Sequence, residues 1–262
     1  MKFVNDSNNL NTSSATPCSS LDCISNTQGI QYVIDRKMQF PLVNINLQEG
    51  HKVFIQPGSM VYHSNGVKLT AHLNSNGKGL YKFMSAIGRS FTSGEDMLIT
   101  QAVADSDGTI ALAPELPGDI KALNLGRYQY NISDKKFLAM DGNCSYTMER
   151  QSIGKAFFAG NGGFYVMTTQ GTGTVLINSY GSIRKIELNN GSITIDNYHV
   201  VAWSTSLDYN IHTENGYWQS LGTGEGIVNT FTGTGEVYIQ SLNLDSLAQN
   251  LAPLLKKWLN AF

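Results

Sequence analysis

Apolar and polar residues exchange places at nearly every second position from about residue 30 to residue 243. The runs are short and glycine breaks them, as in "GTGTVLIN", "GSITIDN" and "GEVYIQS". A period of two with one apolar side is the mark of a half-buried strand. Glycine supplies the positive φ that tight hairpin turns need. The pattern predicts an all-β body.

Two motifs recur within that body. Ile55-Gln-Pro-Gly-Ser-Met60-Val61, Ile132-Ser-Asp-Lys-Lys-Phe137-Leu138 and Ile195-Asp-Asn-Tyr-His-Val200-Val201 align without gaps. Each has an apolar residue, four mostly polar positions and an apolar pair, which is what two strands joined by a corner produce. Gly108-Thr-Ile110-Ala-Leu112, Gly173-Thr-Val175-Leu-Ile177 and Gly235-Glu-Val237-Tyr-Ile239 form the second set, each preceded by another strand pattern. These glycines recur at intervals of 65 and 62 residues (108 to 173 to 235). Two motifs interleaved at nearly one period predict three tandem modules, at about 28–113, 114–178 and 179–243. A module this small buries little surface alone, so the three are expected to pack together and share one core.

The two ends read differently. Residues 1–27 are polar without a period and predict a flexible tail. Residues 244–262 predict a helix, with Leu247, Leu251, Leu254, Leu255, Trp258, Leu259 and Phe262 on one face. Asp245 or Ser246 can cap it, and Ser246-x-x-Gln249 reads as a capping box. Pro253 predicts a kink, or a break that starts a second short helix. Burying Leu254, Leu255, Trp258, Leu259 and Phe262 is worth about 7–15 kcal/mol gross. These five are therefore the candidate interface, docked on a β-surface of the same chain or of a neighbouring subunit. Shallow adsorption to a membrane surface, with Lys256 and Lys257 on the polar side, is the second choice.

Composition narrows the function classes. Of 262 residues, 41% are hydrophobic and only 15% charged, with 26 glycines and 6 prolines. A net charge of −2 offers no general attraction to nucleic acid. The basic dipeptides are scattered and lack regular aromatic partners, so no nucleic-acid partner is expected. Cys18, Cys23 and Cys144 are too few and too scattered for a disulfide scaffold, which suits a reducing cytoplasm. The N-terminus shows no apolar signal region, and no run approaches the roughly 18 apolar residues of a spanning helix.

Candidate chemistry is sparse. The chain has five histidines and no His-x-His, and His63-x8-His72 is too loose for a metal site. His199 lies in a turn, where a local hydrogen bond is expected. Gly160-Asn-Gly162-Gly163 is followed by a strand pattern. A dinucleotide site instead needs its glycine loop to open a helix. No GxSxG elbow occurs. No catalytic residue, cofactor or metal is assigned.

"QPGSMVYHSNGV", "ALAPELPGDIKALNL", "FLAMDGNCSYTM", "GTGTVLINSYGSIRKIEL" and "DNYHVVAW" resemble the altered-inheritance-of-mitochondria family over about Gln31 to Ser241. The resemblance implies a fold like that of the tryptophan RNA-binding attenuation protein, a short double-stranded β-helix, here repeated three times. It also implies ring-like assembly, and brings no catalytic residues. The mitochondrial relatives are linked to inner-membrane organisation. This N-terminus nearly lacks Arg and does not read as a transit peptide. The expectation is a non-enzymatic, cytoplasmic homo-oligomer acting as a scaffold or binding module, with no ligand assigned. The alternative is a small-molecule or polymer-binding protein with its site between modules, and an enzyme ranks third.

Overall fold

The structure, a computed structural model, describes residues 2–4, 21–24, 29–37, 39–73, 98–151, 164–213 and 227–259. It is an all-β body followed by one helix. Before the body proper come β1 (Lys2–Val4), β2 (Leu21–Ile24) and β3 (Gln31–Asp35). β1 pairs with residues 185–187, and β2 pairs with β3. Two pieces of the stretch expected as a flexible tail therefore join sheets.

The described residues of 42–112 form six strands: β4 (Leu42–Leu47), β5 (Lys52–Ile55), β6 (Met60–His63), β7 (Val67–Leu73), β8 (Leu98–Ala104) and β9 (Gly108–Leu112). Residues 120–178 hold six more: β10 (Ile120–Leu125), β11 (Tyr130–Ser133), β12 (Phe137–Asp141), β13 (Ser145–Gln151), β14 (Phe164–Gln170) and β15 (Gly173–Asn178). Residues 183–240 hold β16 (Ile183–Asp196), β17 (Val200–Ser204), β18 (Asp208–His212) and β19 (Val228–Gln240). β16 shifts register between Leu188 and Gly191, opposite a bend in β19 at Gly233, whose φ is +124°. Each of these two long strands thus serves as two successive runs.

Counting runs in order within each segment, first pairs with sixth, second with fifth, third with sixth and fourth with fifth. In the first segment these ladders are β4–β9, β5–β8, β6–β9 and β7–β8. In the second they are β10–β15, β11–β14, β12–β15 and β13–β14. In the third, β16 and β19 pair along both halves, while β17 and β18 pair with the late and early halves of β19. All are antiparallel, as short glycine turns require.

The recurrent residues have physical reasons at these positions. In each third-with-sixth ladder a register shift falls inside the apolar pair, between Met60 and Tyr62, Phe137 and Ala139, and Val200 and Ala202. A bulge lets consecutive residues escape strict alternation, which explains two adjacent apolar side chains. The glycine that opens each sixth run lies against the start of the fourth. An added Cβ would come within 2.9 Å of Val67 Cγ2 at Gly108, of Cys144 Sγ at Gly173 and of Leu207 Cγ at Gly235.

Neighbouring segments join through one kind of contact. The second run of the first segment, β5, pairs with the third run of the second, β12. The second run of the second, β11, pairs with the third run of the third, β17. The core differs from the single shared one expected. Three clusters form, and each borrows from its neighbour. Leu138 and Leu176 complete the first cluster, Phe54 and Tyr238 the second, and Val166 the third. The first cluster lies between the five- and six-stranded sheets, the second between the six- and eight-stranded sheets and the third within the eight-stranded sheet, and the strand exchange between segments connects them.

The helix α1 spans Leu244–Leu259. Asn243 caps it rather than Asp245 or Ser246. Its Oδ1 accepts from the backbone N–H of Asp245 at 2.9 Å and of Ser246 at 3.2 Å. Gln249 donates to Asp245 Oδ2 at 2.5 Å instead of completing a capping box with Ser246. Pro253 lies inside one continuous helix, where it leaves the Gln249 carbonyl without its helical donor.

Candidate functional site: an unmatched strand edge and a cavity

The contact made by β5–β12 and β11–β17 needs a second run on one side and a third run on the other. The first segment's third run, β6, pairs only with β9 among the described residues. The third segment's second run, residues 192–196, pairs only with β19 among the described residues. One edge of each kind is left open.

The side chains on these edges match the ones buried elsewhere. Leu138 and Val201, the second members of their apolar pairs, are fully buried. Val61, at the same position in β6, is 52% exposed, and its neighbour Tyr62 is 50% exposed where the other segments place buried Ala139 and Ala202. Phe137 and Val200 are buried, while Met60 is exposed. On the other open edge, Ile195 holds the position of Ile55 and Ile132, and it is buried within its own segment. The Tyr62 hydroxyl donates to Asn44 Oδ1 at 2.6 Å, a contact within its own sheet. A strand with unpaired backbone groups and uncovered apolar side chains is a template for another strand.

A cavity of about 490 Å³ lies between the second and third segments, under the first turns of α1. Lys136, Val166, Tyr198, Val200, Trp203 and Leu244 are among its lining residues. Trp203 Nε1 and Asn229 Oδ1, on two of its lining residues, are buried without a hydrogen-bond partner. Burial pushes the Lys136 amine down from 10.5 to about 8, and pushes the neighbouring Asp134 carboxyl up. A second cavity, of about 440 Å³, lies between the first and second segments and includes His51, Lys52 and Asp141.

The predicted interface residues stand as follows. Leu254 and Leu255 are 63% and 58% exposed, so their face is uncovered among the described residues. Trp258 and Leu259 lie on the helix backbone, but their side chains, like the whole of Phe262, fall outside the described residues. Leu247 and Leu251 are exposed on the same helix. Sequence reasoning missed β6 as an edge, although Met60-Val61 is as apolar as its counterparts. The missing signal is pairing, which no single strand's composition records. A Lys-Lys pair in a polar turn carries no signature of burial, so the sequence does not single out Lys136.

Among the described residues, no group of three or more His, Cys, Asp or Glu is arranged to hold a metal ion. The Nδ1 of His199 is 2.7 Å from the carbonyl of Gln240, closing the end of β19 onto the turn before β17. Cys144 donates weakly to the Thr172 carbonyl at 3.3 Å, and burial pushes its thiol up to about 11, away from reactivity. No described helix is long and apolar enough to cross a membrane.

Comparison with known proteins agrees with this architecture. An uncharacterised protein of Streptococcus pyogenes serotype M6 is 60% identical over 222 residues, covering 85% of this chain and 90% of its own. A crystal structure of a protein from Streptococcus pyogenes superposes with a TM-score of 0.73 at 56% identity, covering 86% of this chain and 99% of that one. The family described as mitochondrial biogenesis AIM24 matches residues 32–242, nearly the whole β-body, and the chain belongs to that family.

Proposed function

We propose that this protein is a non-enzymatic scaffold of three β-modules that assembles with copies of itself. Copies join head to tail, with β6 of one pairing to residues 192–196 of the next. One observation carries this reading: Met60, Val61 and Tyr62 are exposed where their counterparts in the other two segments are buried by a neighbouring second run. The recurring pairing order supports the three-module description. Repeating the register of the two internal contacts sets Ile195 opposite Tyr62 and Thr194 opposite His63. Such a contact uses different patches on its two sides, so it closes into a ring or continues as a filament according to its rotation. The uncovered face of α1 contributes a second contact in the assembly.

The test is a pair of cysteine variants. Cα partners across an antiparallel ladder are about 4.5–5.5 Å apart, within disulfide range. Mixing His63→Cys and Thr194→Cys proteins should give a disulfide between copies, and neither alone should give it with the wild type. Val61→Lys should leave the chain folded and lower its mass in native mass spectrometry to that of one copy, because the new charge is solvated only when the edge is open. Wild-type protein that runs as one copy at every concentration overturns the reading. Truncation after Asn243 measures the share of α1 in the assembly.

A further inference from the structure

A lysine occupies a turn position whose backbone favours glycine. The turn between β11 and β12 is closed by the N–H of Lys136 donating to the Ser133 carbonyl at 3.1 Å. Its third residue, Lys135, has φ +59°. The matching turn of the first segment has Gly58 there, with φ +82°. The left-handed conformation disfavours any residue with a Cβ. Here it accompanies a Lys136 side chain that is half-buried against the cavity of about 490 Å³.

No hydrogen bond or ion pair joins the Lys136 side chain to another described residue, although Asp134 stands two positions away on the same turn. Val166, Val200 and Trp203 supply apolar wall. Burial of Lys136 outweighs the nearby Asp134 charge, and a lysine so removed from water favours its neutral form, the nucleophilic one.

We propose that Lys136 is a capture site for small aldehydes or ketones with an apolar body, which it holds as an imine. The nitrogen lone pair attacks the carbonyl carbon and gives a carbinolamine. Loss of its hydroxyl with a proton from nitrogen releases water and leaves the C=N bond. Water accepts and returns the proton, and the exchange needs no oxidant or reductant. The cavity, of a size common for small-molecule sites, accommodates the body of the carbonyl compound. Burial supports the step, since an amine held at about 8 is roughly one-tenth unprotonated at pH 7. The titratable groups that share the cavity wall are Glu115, Asp134, Lys135, Tyr165, Tyr198 and Asp245. This capture requires no assembly, and Lys136 lies on neither open edge.

The experiment uses the full chain, benzaldehyde as probe and sodium cyanoborohydride to reduce any imine. Peptide mapping by mass spectrometry then locates the benzyl groups. At pH 7 Lys136 should be alkylated at least ~10-fold faster than exposed Lys135, with a rate that levels off above about pH 8. Lys136→Met should remove that adduct while leaving the melting temperature equal or higher. Benzaldehyde without reductant should perturb the Trp203 indole N–H resonance. Alkylation of Lys136 no faster than Lys135, or a rate still rising at pH 10, overturns the proposal.

Discussion

Where β5 meets β12, the strands enclose Val53, Ile55, Ala139 and Leu176, all buried and apolar. Thr174 is fully buried beside them, and its hydroxyl finds no partner. Where β11 meets β17, the corresponding positions hold Tyr130, Ile132, Ala202 and Tyr238, and Glu236 stands in place of Thr174. Both phenol hydroxyls donate to Glu236 Oε2, at 2.9 Å from Tyr130 and 2.8 Å from Tyr238, and Lys185 Nζ approaches Oε1 at 3.5 Å. The Tyr130 and Tyr238 rings meet edge to face, with centroids 6.1 Å apart. The backbone contact is the same, but one junction is filled with aliphatic groups and the other closes around a carboxylate. The ladder therefore decides that the segments join, and the side chains decide how the interior is satisfied. The third such edge, on β6, has the ladder groups and the apolar side chains but no partner among the described residues.

Removing the carboxylate should separate the junctions most. Glu236→Leu leaves two buried phenols without an acceptor and should cost about 2–4 kcal/mol in denaturant unfolding. Thr174→Val, at the matching position, removes a hydroxyl that already lacks a partner and should cost nothing or stabilise by up to ~1 kcal/mol. Equal losses from the two changes would show that the junctions are not distinct.

Alkali should act next, and mainly on the second junction. Burial first, then the Glu236 charge and hydrogen bond, hold Tyr130 well above its ordinary 10.0. Burial is also the largest cause for Tyr238, followed by the charges beside it. A group whose folded value is raised contributes stability in full below its unfolded value and loses it as pH rises beyond that. Stability should therefore fall above pH 10, by about 1.4 kcal/mol per pH unit for each such group. Thr174→Val should keep that slope and Tyr238→Phe should flatten it. The opposite sign applies to Lys136, whose value burial lowers from 10.5 to about 8. It opposes folding below pH 8 and ceases to do so as pH rises from 8 to 10.5, so Lys136→Met should stabilise at pH 7.

Close approach at the sixth runs should be shared by both junctions. Gly173→Ala and Gly235→Ala each place a methyl within 2.9 Å of a neighbouring side chain. Both should cost about 1–3 kcal/mol. Gly173 has the further penalty of φ +154°, so it should be the worse of the two. The smallest effect is expected at Lys135→Gly, which relieves a left-handed residue and should stabilise by about 0.5–1 kcal/mol.

Alternation and glycine placement carried most of the architecture. The strands containing Ile55, Ile132 and Ile195 were readable because a strand with one wet face must alternate. Gly108, Gly173 and Gly235 were readable because only glycine fits where two runs touch. The apolar pairs were visible too, but the bulges that bury both members appear only once a second strand sets the register. The helix was legible from its leucines, whereas its cap at Asn243 depended on where the last strand released the chain. Glu236 and Lys136 had no signature. A glutamate after a turn glycine and a lysine in a polar turn look solvated until distant strands close over them. Sequence by itself determined which residues turn inward, since that follows from local geometry and water. Which inward residues meet, which edge stays open and which charge loses its solvent were decided by tertiary structure, because pairing between strands far apart in the chain leaves no local pattern.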